Sequence, residues 1–350
     1  MNIHERLNPP PLLDISAQNK ADKIIGGKSS GVVNWNDIKY PQMYEIYKTL
    51  LTNFWRAEEI QMNEDVNAWK TLSKDEQEAF LNVNGLIAVL DSVQPALLSN
   101  IKNYFSDSSI REIFTLIEQQ EVVHNQSYSY VLSSIVPLET QKKAFDMAIT
   151  KQEIYARNNL IIDVYEEFRT NPTIYNIAKS LIASIILEGI NFYSSFAFFY
   201  NLARNKKMIK TSTIISYINK DEFSHSFFMS LLVKLMVKEI PEINESRQLE
   251  KFAHEIFEKA VELEIEWSRF VLKKIEQIDL EEMSDYIRYR ANKCLGMLEF
   301  NPIYEGVDEN SMPWIRVFSD ENINNSKTDF FENKSRNYGK VSQDNGFDEL

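Results

Sequence analysis

The sequence contains one cysteine, four histidines, nine glycines and ten prolines among 350 residues. A lone cysteine excludes an internal disulfide framework, a cysteine-rich zinc site and any dithiol chemistry carried by this chain alone. We expect Cys294 to be a buried core residue. So few helix-breaking residues favour long helices, and the 44% apolar content is enough for one large core or two modest ones.

Basic residues are also in deficit. Asp and Glu number 51 against 38 Lys and Arg, which gives a formal net charge of −13. This balance argues against a general surface for nucleic acid or anionic membranes, and it favours proteins, metals or small molecules as partners. The start, MNIHERLNPPPLLDIS, has no basic segment leading into an apolar run. We therefore predict a cytoplasmic protein without a secretion signal.

One long apolar run offers an alternative to that interpretation. Residues 180–200, SLIASIILEGINFYSSFAFFY, are long enough to cross a bilayer and carry a single charge, at Glu188. A central carboxylate is costly in lipid, and the other apolar helices are amphipathic. We therefore predict a helix buried on all sides within a large soluble bundle rather than a membrane helix.

The composition changes twice along the chain. Residues 1–35 are mixed and contain proline and glycine, which predicts an N-terminal arm wrapped over the main body. Over residues 36–300 apolar residues recur at spacings of three and four, and the short linkers contain proline, which predicts a helical bundle. Residues 301–350 are rich in Asn, Asp, Ser and Lys, which predicts a flexible tail. The fold class is therefore predicted to be all-α.

Two of the four histidines follow a glutamate by three residues, as Glu121-x-x-His124 and Glu222-x-x-His225. At this spacing a carboxylate and an imidazole share one face of a helix and can bind one metal ion. One such pair is weak evidence, because a helical histidine is more often a hydrogen-bonded core residue. Two pairs on separate apolar helices are much harder to explain by chance.

Isolated acids in apolar surroundings complete the candidate set. Asp91 is the only ionised group in GLIAVLDSVQPALL, and Glu188 is the only one in residues 180–200. Such carboxylates should be neutralised, paired or bound to metal. Four helices would then contribute four carboxylates and two imidazoles: Asp91, Glu121, His124, Glu188, Glu222 and His225. This inventory suits two iron or two manganese ions in a ferritin-like helical bundle with a dinuclear metal site in its core.

These stretches resemble the small, radical-generating subunit of class I ribonucleotide reductase, from about Asn53 to Leu350. The motifs that carry the resemblance are NFWRAEEI at 53–60, LDS at 90–92, EVVHNQSY at 121–128, LEGINFYSSF at 187–196, KDEFSH at 220–225 and the tail. All six ligands that the family uses have a counterpart here. The first is usually Asp in this family and Glu in ferritins, so Asp91 separates the two. Lys220 replaces an Arg often found in the family, a departure that touches no ligand.

The resemblance assigns a role to Tyr128, which lies one helical turn beyond His124. In that family the tyrosine at this place is oxidised to a stable phenoxyl radical after the metals activate oxygen. Counting helical turns from the ligands, Phe192, Phe196 and Ile218 should also face the metals. They resemble the family's apolar shell, which would exclude water and reductants from the radical.

The resemblance also implies a relay for the radical and a docking peptide. Trp55 should lie against Asp221 and His124 as the inner part of an electron and proton relay. In the tail, Tyr338 matches the family's mobile relay tyrosine, and Glu332 matches an acid that the family places six residues earlier. The final residues Phe347–Leu350 join two large apolar side chains to two acids and are expected to dock on the large subunit.

The resemblance implies the large subunit as the partner, which would supply the cysteine pair and the nucleotide-binding loop that this chain lacks. The expected cofactor is two iron or two manganese ions per chain, and a manganese form would need a flavoprotein activase. We also expect a homodimer. The alternatives are an iron-storage ferritin, which has no use for the relay residues, and a ferritin-like ligand-binding metal oxidase, which needs an open substrate cavity.

Overall fold

The computed structural model describes residues 2–319. Within this range the chain forms twelve α-helices, and its only β-type pairings are two isolated bridges. The helices are α1 (Gln42–Thr52), α2 (Asn63–Trp69), α3 (Lys74–Ile101), α4 (Ser108–Ile135), α5 (Leu138–Thr150), α6 (Gln152–Thr170), α7 (Ile174–Ile186), α8 (Tyr193–Arg204), α9 (Ile209–Glu239), α10 (Gln248–Leu272), α11 (Leu280–Met297) and α12 (Arg316–Ser319). The prediction of an all-α fold is confirmed.

Capping residues in the local sequence explain where α3 and α4 begin. Ser73 and Glu76 form a reciprocal capping box at the start of α3. The Asp107 side chain accepts hydrogen bonds from the backbone N–H groups of Ser109 and Ile110 at the start of α4. Each cap satisfies N–H groups that have no partner within the helix, and so it fixes the register of the helix it precedes.

The core lies between two helix pairs. α3 packs along α4, α7 packs along α9, and α4 also contacts α9. The side chains between them form one continuous apolar cluster that includes Phe114, Ile177 and Phe228. Because α3, α4, α7 and α9 face one another, polar side chains on their inner faces converge in the centre of the bundle.

A π-helical turn, Leu187–Asn191, separates α7 from α8. Its hydrogen bonds span five residues instead of four, so it inserts an extra residue into the helical register. The buried helix predicted over residues 180–200 is present, and this π-helical turn interrupts its α-helical spacing. Glu188 lies within this turn, and side chains after it, including Phe192 and Phe196, do not follow α-helical spacing from Glu188.

The described part of the predicted arm, residues 2–35, contains no helix, and α1 begins only at Gln42. The arm is held against the bundle by Ile24 and Ile25, which are fully buried. Glu239, at the end of α9, accepts hydrogen bonds from the backbone N–H of Ile24 and from the Tyr40 hydroxyl, at 2.9 and 2.6 Å. The boundary of this arm as a separate unit stays a prediction.

The described part of the predicted tail, residues 301–319, packs on the bundle. Met312 and Ile315 are buried, and the Phe318 ring stacks on Tyr200 with 5.6 Å between ring centroids. The chain therefore continues to bury apolar side chains beyond residue 300, although its composition becomes polar there.

Two helical stretches, Lys74–Tyr104 and Ile174–Arg204, are long and apolar enough to cross a membrane by length and composition. Of their most apolar windows, 67% and 100% respectively are buried inside the structure. Core helices of large bundles have the same property. Burial within the bundle thus accounts for the apolar composition of residues 180–200.

Candidate metal centre

The six predicted ligands lie together in the centre of the bundle, and each is at most 1% exposed. α3 supplies Asp91, α4 supplies Glu121 and His124, the π-helical turn supplies Glu188, and α9 supplies Glu222 and His225. Their ligand atoms form two groups, each within 4.8 Å: Asp91, Glu121, His124 and Glu222; and Glu121, Glu188, Glu222 and His225. Glu121 and Glu222 belong to both groups, which is the arrangement that two bridging carboxylates need.

Both histidines point the same ring nitrogen at the acids. His124 Nδ1 lies 3.0 Å from Glu222 and 3.6 Å from Glu121. His225 Nδ1 lies 3.0 Å from Glu121, 3.3 Å from Glu188 and 3.4 Å from Glu222. The two rings stack with 5.9 Å between their centroids. Each imidazole therefore faces one carboxylate oxygen of Glu121 and one of Glu222, and the two imidazoles mark two neighbouring candidate metal positions.

The other ring nitrogen of each histidine has its own partner. His124 Nε2 lies 3.2 Å from Asp221 Oδ2, and His225 Nε2 lies 3.0 Å from the Gln120 side-chain oxygen. Because these oxygens can only accept, they hold a proton on Nε2, and Nδ1 is the nitrogen that faces the acid cluster. Ligand histidines in metal proteins are oriented in this way.

Many polar atoms of the cluster lack a hydrogen-bond donor within the described residues. They include both oxygens of Asp91, Glu121 and Glu222, one oxygen of Glu188, and Nδ1 of both histidines. Buried polar atoms are almost always satisfied, and buried charges are paired or bound to metal. Oxygen and imidazole donors of this kind suit iron or manganese. The residues present therefore fit a dinuclear metal site.

The protonation of the metal-free cluster shows how the acids compete for positive charge. Burial raises the pKa of Glu188 to about 8. Burial would also raise the pKa of Glu121, but the two neighbouring histidines lower it to about 2. Burial lowers the pKa of both imidazoles, and the surrounding glutamates raise it well above its ordinary value. Protons on the histidines thus supply the positive charge that metal ions would otherwise bring.

Tyr128 is fully buried on α4, one turn beyond His124. Its hydroxyl makes no hydrogen bond of ordinary geometry. The nearby Asp91 carboxylate nevertheless affects the pKa of this hydroxyl. Burial, with the charge of Asp91, raises the pKa of Tyr128 well above its usual value. The phenol therefore keeps its proton at neutral pH.

The three residues predicted to form an apolar shell are all fully buried. Phe192 and Phe196 stack with 5.7 Å between ring centroids at the start of α8, and Ile218 lies one turn before Glu222 on α9. Their role around Tyr128 stays a prediction.

Trp55 connects the centre with the outer part of the molecule. Its indole N–H donates to Asp221 Oδ2 at 2.8 Å, and the same oxygen contacts His124 Nε2. The Trp55 and His124 rings lie 6.1 Å apart and nearly parallel. Asp221 is 1% exposed, whereas Trp55 is half-buried. The structure thus brings together the three residues predicted for the inner relay, and their role in radical transfer stays a prediction.

Comparisons with known proteins agree with this geometry. The family model for the ribonucleotide reductase small chain matches residues 32–311. The chain belongs to this family. It is 45% identical over 347 residues to a ribonucleoside-diphosphate reductase subunit beta from Halalkalibacterium halodurans, which covers 99% of this chain and 100% of the relative. The chain is therefore the small subunit of a class I ribonucleotide reductase, and a storage ferritin is not favoured.

Two solved structures resemble this small subunit in fold. A class I ribonucleotide reductase structure from Bacillus halodurans has a TM-score of 0.85 and 43% identity, and the match covers 89% of this chain and 100% of that chain. The R2 subunit from Clostridium botulinum has a TM-score of 0.84 and 34% identity, with 90% and 99% covered. The ferritin-like prediction is confirmed.

The predicted residues of the small subunit's tail lie outside the described residues 2–319. They are Glu332, Tyr338, Phe347 and Leu350. Their roles as relay and docking residues stay predictions.

The two histidines that do not follow a glutamate by three residues lie apart from the metal centre. His4 contacts the Tyr175 ring, and His254 contacts the backbone of Asn301.

Sequence reasoning missed a set of uncharged residues around the ligands. Gln94 donates to Glu188, and the Tyr165 hydroxyl contacts both the Gln94 side-chain oxygen at 2.7 Å and the Ser184 hydroxyl at 2.9 Å. Gln120, which holds His225, is also at most 5% exposed. A search for isolated ionised groups passes over neutral amides, yet Gln94 lies in the same apolar run as Asp91. A buried amide in such a run is the feature that could have revealed it.

Two buried arginines hold the π-helical turn that carries Glu188. Arg157 on α6 donates to the backbone oxygen of Asn191, and Arg290 on α11 donates to that of Gly189 at 3.2 Å. These carbonyls lie where the helical hydrogen-bond pattern changes, and the two arginines give them donors from outside the helix. The arginines thereby fix the backbone on which the fourth carboxylate ligand is placed.

Proposed function

We propose that this small subunit binds two iron or two manganese ions at the six buried ligands and uses Tyr128 as its radical residue. A metal pair bound there would activate oxygen and so supply the oxidant for the phenol. The radical would then be transferred reversibly to the large subunit, which reduces ribonucleotides. The observation that carries the proposal is that Glu121 and Glu222 are shared by two ligand groups beside a buried tyrosine.

Each residue near Tyr128 would have a defined task. Tyr128 would give up one electron and its phenolic proton. Among the acids, the Asp91 carboxylate has the largest electrostatic effect on the pKa of that phenol. Because Tyr128 is fully buried, water and external reductants are kept from the resulting phenoxyl radical. Phe192, Phe196 and Ile218 would contribute the apolar surroundings.

Transfer of the radical would follow the contacts of Trp55. The indole N–H and the His124 ring share the Asp221 carboxylate, so a proton can move between these groups when an electron does. The route would continue in the tail through Tyr338, with a role for Glu332, six residues earlier in the sequence. We further propose that Phe347 and Leu350 anchor the tail on the large subunit, and that the chain acts as a cytoplasmic homodimer. A manganese form would also need a flavoprotein activase.

Tyr128→Phe tests the radical assignment, because it preserves the shape of the side chain and removes the oxidisable hydroxyl. The metal content should stay unchanged, while the radical detected by electron paramagnetic resonance and the reductase activity with the large subunit should be lost. Tyr130→Phe is the matched control, since the Tyr130 hydroxyl donates to the backbone oxygen of Ile60 on another face of α4. Equal losses in both variants would contradict the special role of Tyr128.

Two variants of the tail should separate docking from radical transfer. Deletion of residues 347–350 should weaken binding to the large subunit, because aromatic and aliphatic anchors dominate such contacts, and it should leave metal and radical intact. Tyr338→Phe should bind normally and fail in turnover. Calorimetry measures binding, and a deoxyribonucleotide product assay measures turnover. Normal turnover of Tyr338→Phe would leave the tail with a tethering role only.

A further inference from the structure

A surface tyrosine touches the outer face of Trp55. The ring of Tyr217, one turn before Asp221 on α9, lies 5.5 Å from the Trp55 ring at an angle of 58°. Tyr217 is 42% exposed, whereas Trp55 is half-buried. No task in the proposed mechanism uses this residue.

The contact extends a continuous series of side chains from the metal centre to solvent. His124 lies 3.2 Å from Asp221, Asp221 accepts from Trp55 at 2.8 Å, and the Trp55 ring contacts Tyr217. The indole N–H is held by a carboxylate that is 1% exposed, so a proton from Trp55 moves inward. A proton from the exposed phenol of Tyr217 can instead pass to water.

We propose that Tyr217 gives oxidising equivalents on Trp55 a second exit to the protein surface, separate from the route through Tyr338 in the tail. One electron passes from Tyr217 to oxidised Trp55, the indole proton returns from Asp221 and so restores the indole, and the phenolic proton of Tyr217 is released to solvent. The product is a phenoxyl radical on Tyr217, which a one-electron donor outside the protein then reduces. This inference rests on the proposed function, because the metal centre supplies the oxidant for Trp55.

A background that lacks the buried radical residue tests the proposal. In Tyr128→Phe protein loaded with metal and exposed to oxygen, the oxidising equivalent has to leave through other side chains. Rapid freezing and electron paramagnetic resonance, with ring-deuterated tyrosine to identify the carrier, should show a transient tyrosine radical. Adding Tyr217→Phe should abolish that signal. An unchanged tyrosine signal, or none in the Tyr128→Phe background itself, would overturn the assignment.

Tyr44→Phe is the matched control, since Tyr44 is 38% exposed and has ring contacts with Trp35 and Tyr47. In the Tyr128→Phe background it should leave the transient signal unchanged. Protein that keeps Tyr128 and carries no substitution distinguishes the failure of this inference from the failure of the proposed function. If it forms no radical, the proposed function fails; if it forms one and Tyr217 makes no difference, only the present inference fails.

A second measurement needs no metal. Among residues 2–319, ring contacts between tryptophan and tyrosine occur at Trp35 and at Trp55. In metal-free Trp35→Phe protein, azide radicals generated by pulse radiolysis oxidise tryptophan, and intramolecular transfer to tyrosine is followed by absorbance. We expect Tyr217→Phe to remove most of that transfer. Equal transfer with and without Tyr217 would contradict electron exchange across this contact.

Discussion

Two charged clusters are fully buried in the same bundle, and they differ in where their compensating charge comes from. In the first, around Glu121 and Glu222, most carboxylate oxygens have no hydrogen-bond donor. In the second, Glu264 on α10 accepts from the Arg157 guanidinium and from the Ser194 hydroxyl. Arg157 is 1% exposed and Glu264 is 0% exposed, so burial alone does not distinguish the clusters.

The difference separates a ligand site from a structural ion pair. A buried ion pair is tolerated when its own partners satisfy its charges and polar atoms. Arg157 and Glu264 meet this condition within the chain, and together they hold the segment that follows Glu188. The acids of the first cluster outnumber the cationic groups that contact them, so they depend on protons or on metal ions. Unsatisfied atoms, more than burial, therefore mark the metal centre.

The largest expected effect is the loss of metal from a variant that lacks a shared ligand. Glu121→Ala removes an acid that belongs to both ligand groups, so bound metal should fall sharply and the radical should disappear. Elemental analysis and electron paramagnetic resonance measure the two. The bundle should remain folded, because metal-free Glu121 contributes repulsion with the neighbouring acids as well as contacts with the histidines.

Glu112→Ala provides the control on the same helix, since Glu112 is exposed near the start of α4. It should bind metal as the unaltered chain does. Two metals per chain and a full radical signal in Glu121→Ala would show that the set of ligands is wrong.

The second cluster should respond in the opposite way. Glu264→Ala leaves the Arg157 guanidinium buried without its partner, which costs about 3–5 kcal/mol in the free energy of unfolding. Ser194→Ala removes only one hydrogen bond to the carboxylate and should cost about 1.5–3 kcal/mol. Denaturant unfolding of the metal-free protein measures both. A loss no larger for Glu264→Ala than for Glu121→Ala would remove the distinction between the two clusters.

The two clusters also show what the sequence could predict. The spacing of Glu121 with His124 and of Glu222 with His225, and the isolation of Asp91 and Glu188 in apolar runs, were enough to predict all six residues that the structure brings together. Long helices followed from the scarcity of glycine and proline. Each of these inferences uses only neighbours along one helix.

The remaining features depend on contacts between helices that are distant in sequence. The Arg157 and Glu264 pair joins residues 107 positions apart, and neither residue lies in a motif that marks it as buried. The π-helical turn at Glu188 is stabilised by arginines from α6 and α11, so no local pattern predicts it. The N-terminal arm likewise owes its place to Glu239, at the end of α9.

The smallest expected effect concerns how closely α11 approaches the π-helical turn. A Cβ atom added at Gly189 would lie 2.4 Å from Cys294 Sγ, which is a steric clash. Cys294 is fully buried, so its sulfur has little room to move. Gly189→Ala should therefore cost about 1–3 kcal/mol, the range for overpacking a core, in spite of the better helix propensity of alanine.

Removal of the obstructing sulfur should rescue this variant. In Gly189→Ala with Cys294→Ala the nearest remaining atom is the Ser226 hydroxyl oxygen at 3.7 Å, an ordinary contact. The unfolding free energy of the double variant should therefore exceed that expected from adding the two single losses. Because Gly189 follows Glu188 directly, metal content should fall in the single variant and return in the double variant. Additive losses, with metal content unchanged throughout, would mean that α11 does not constrain the turn that carries Glu188.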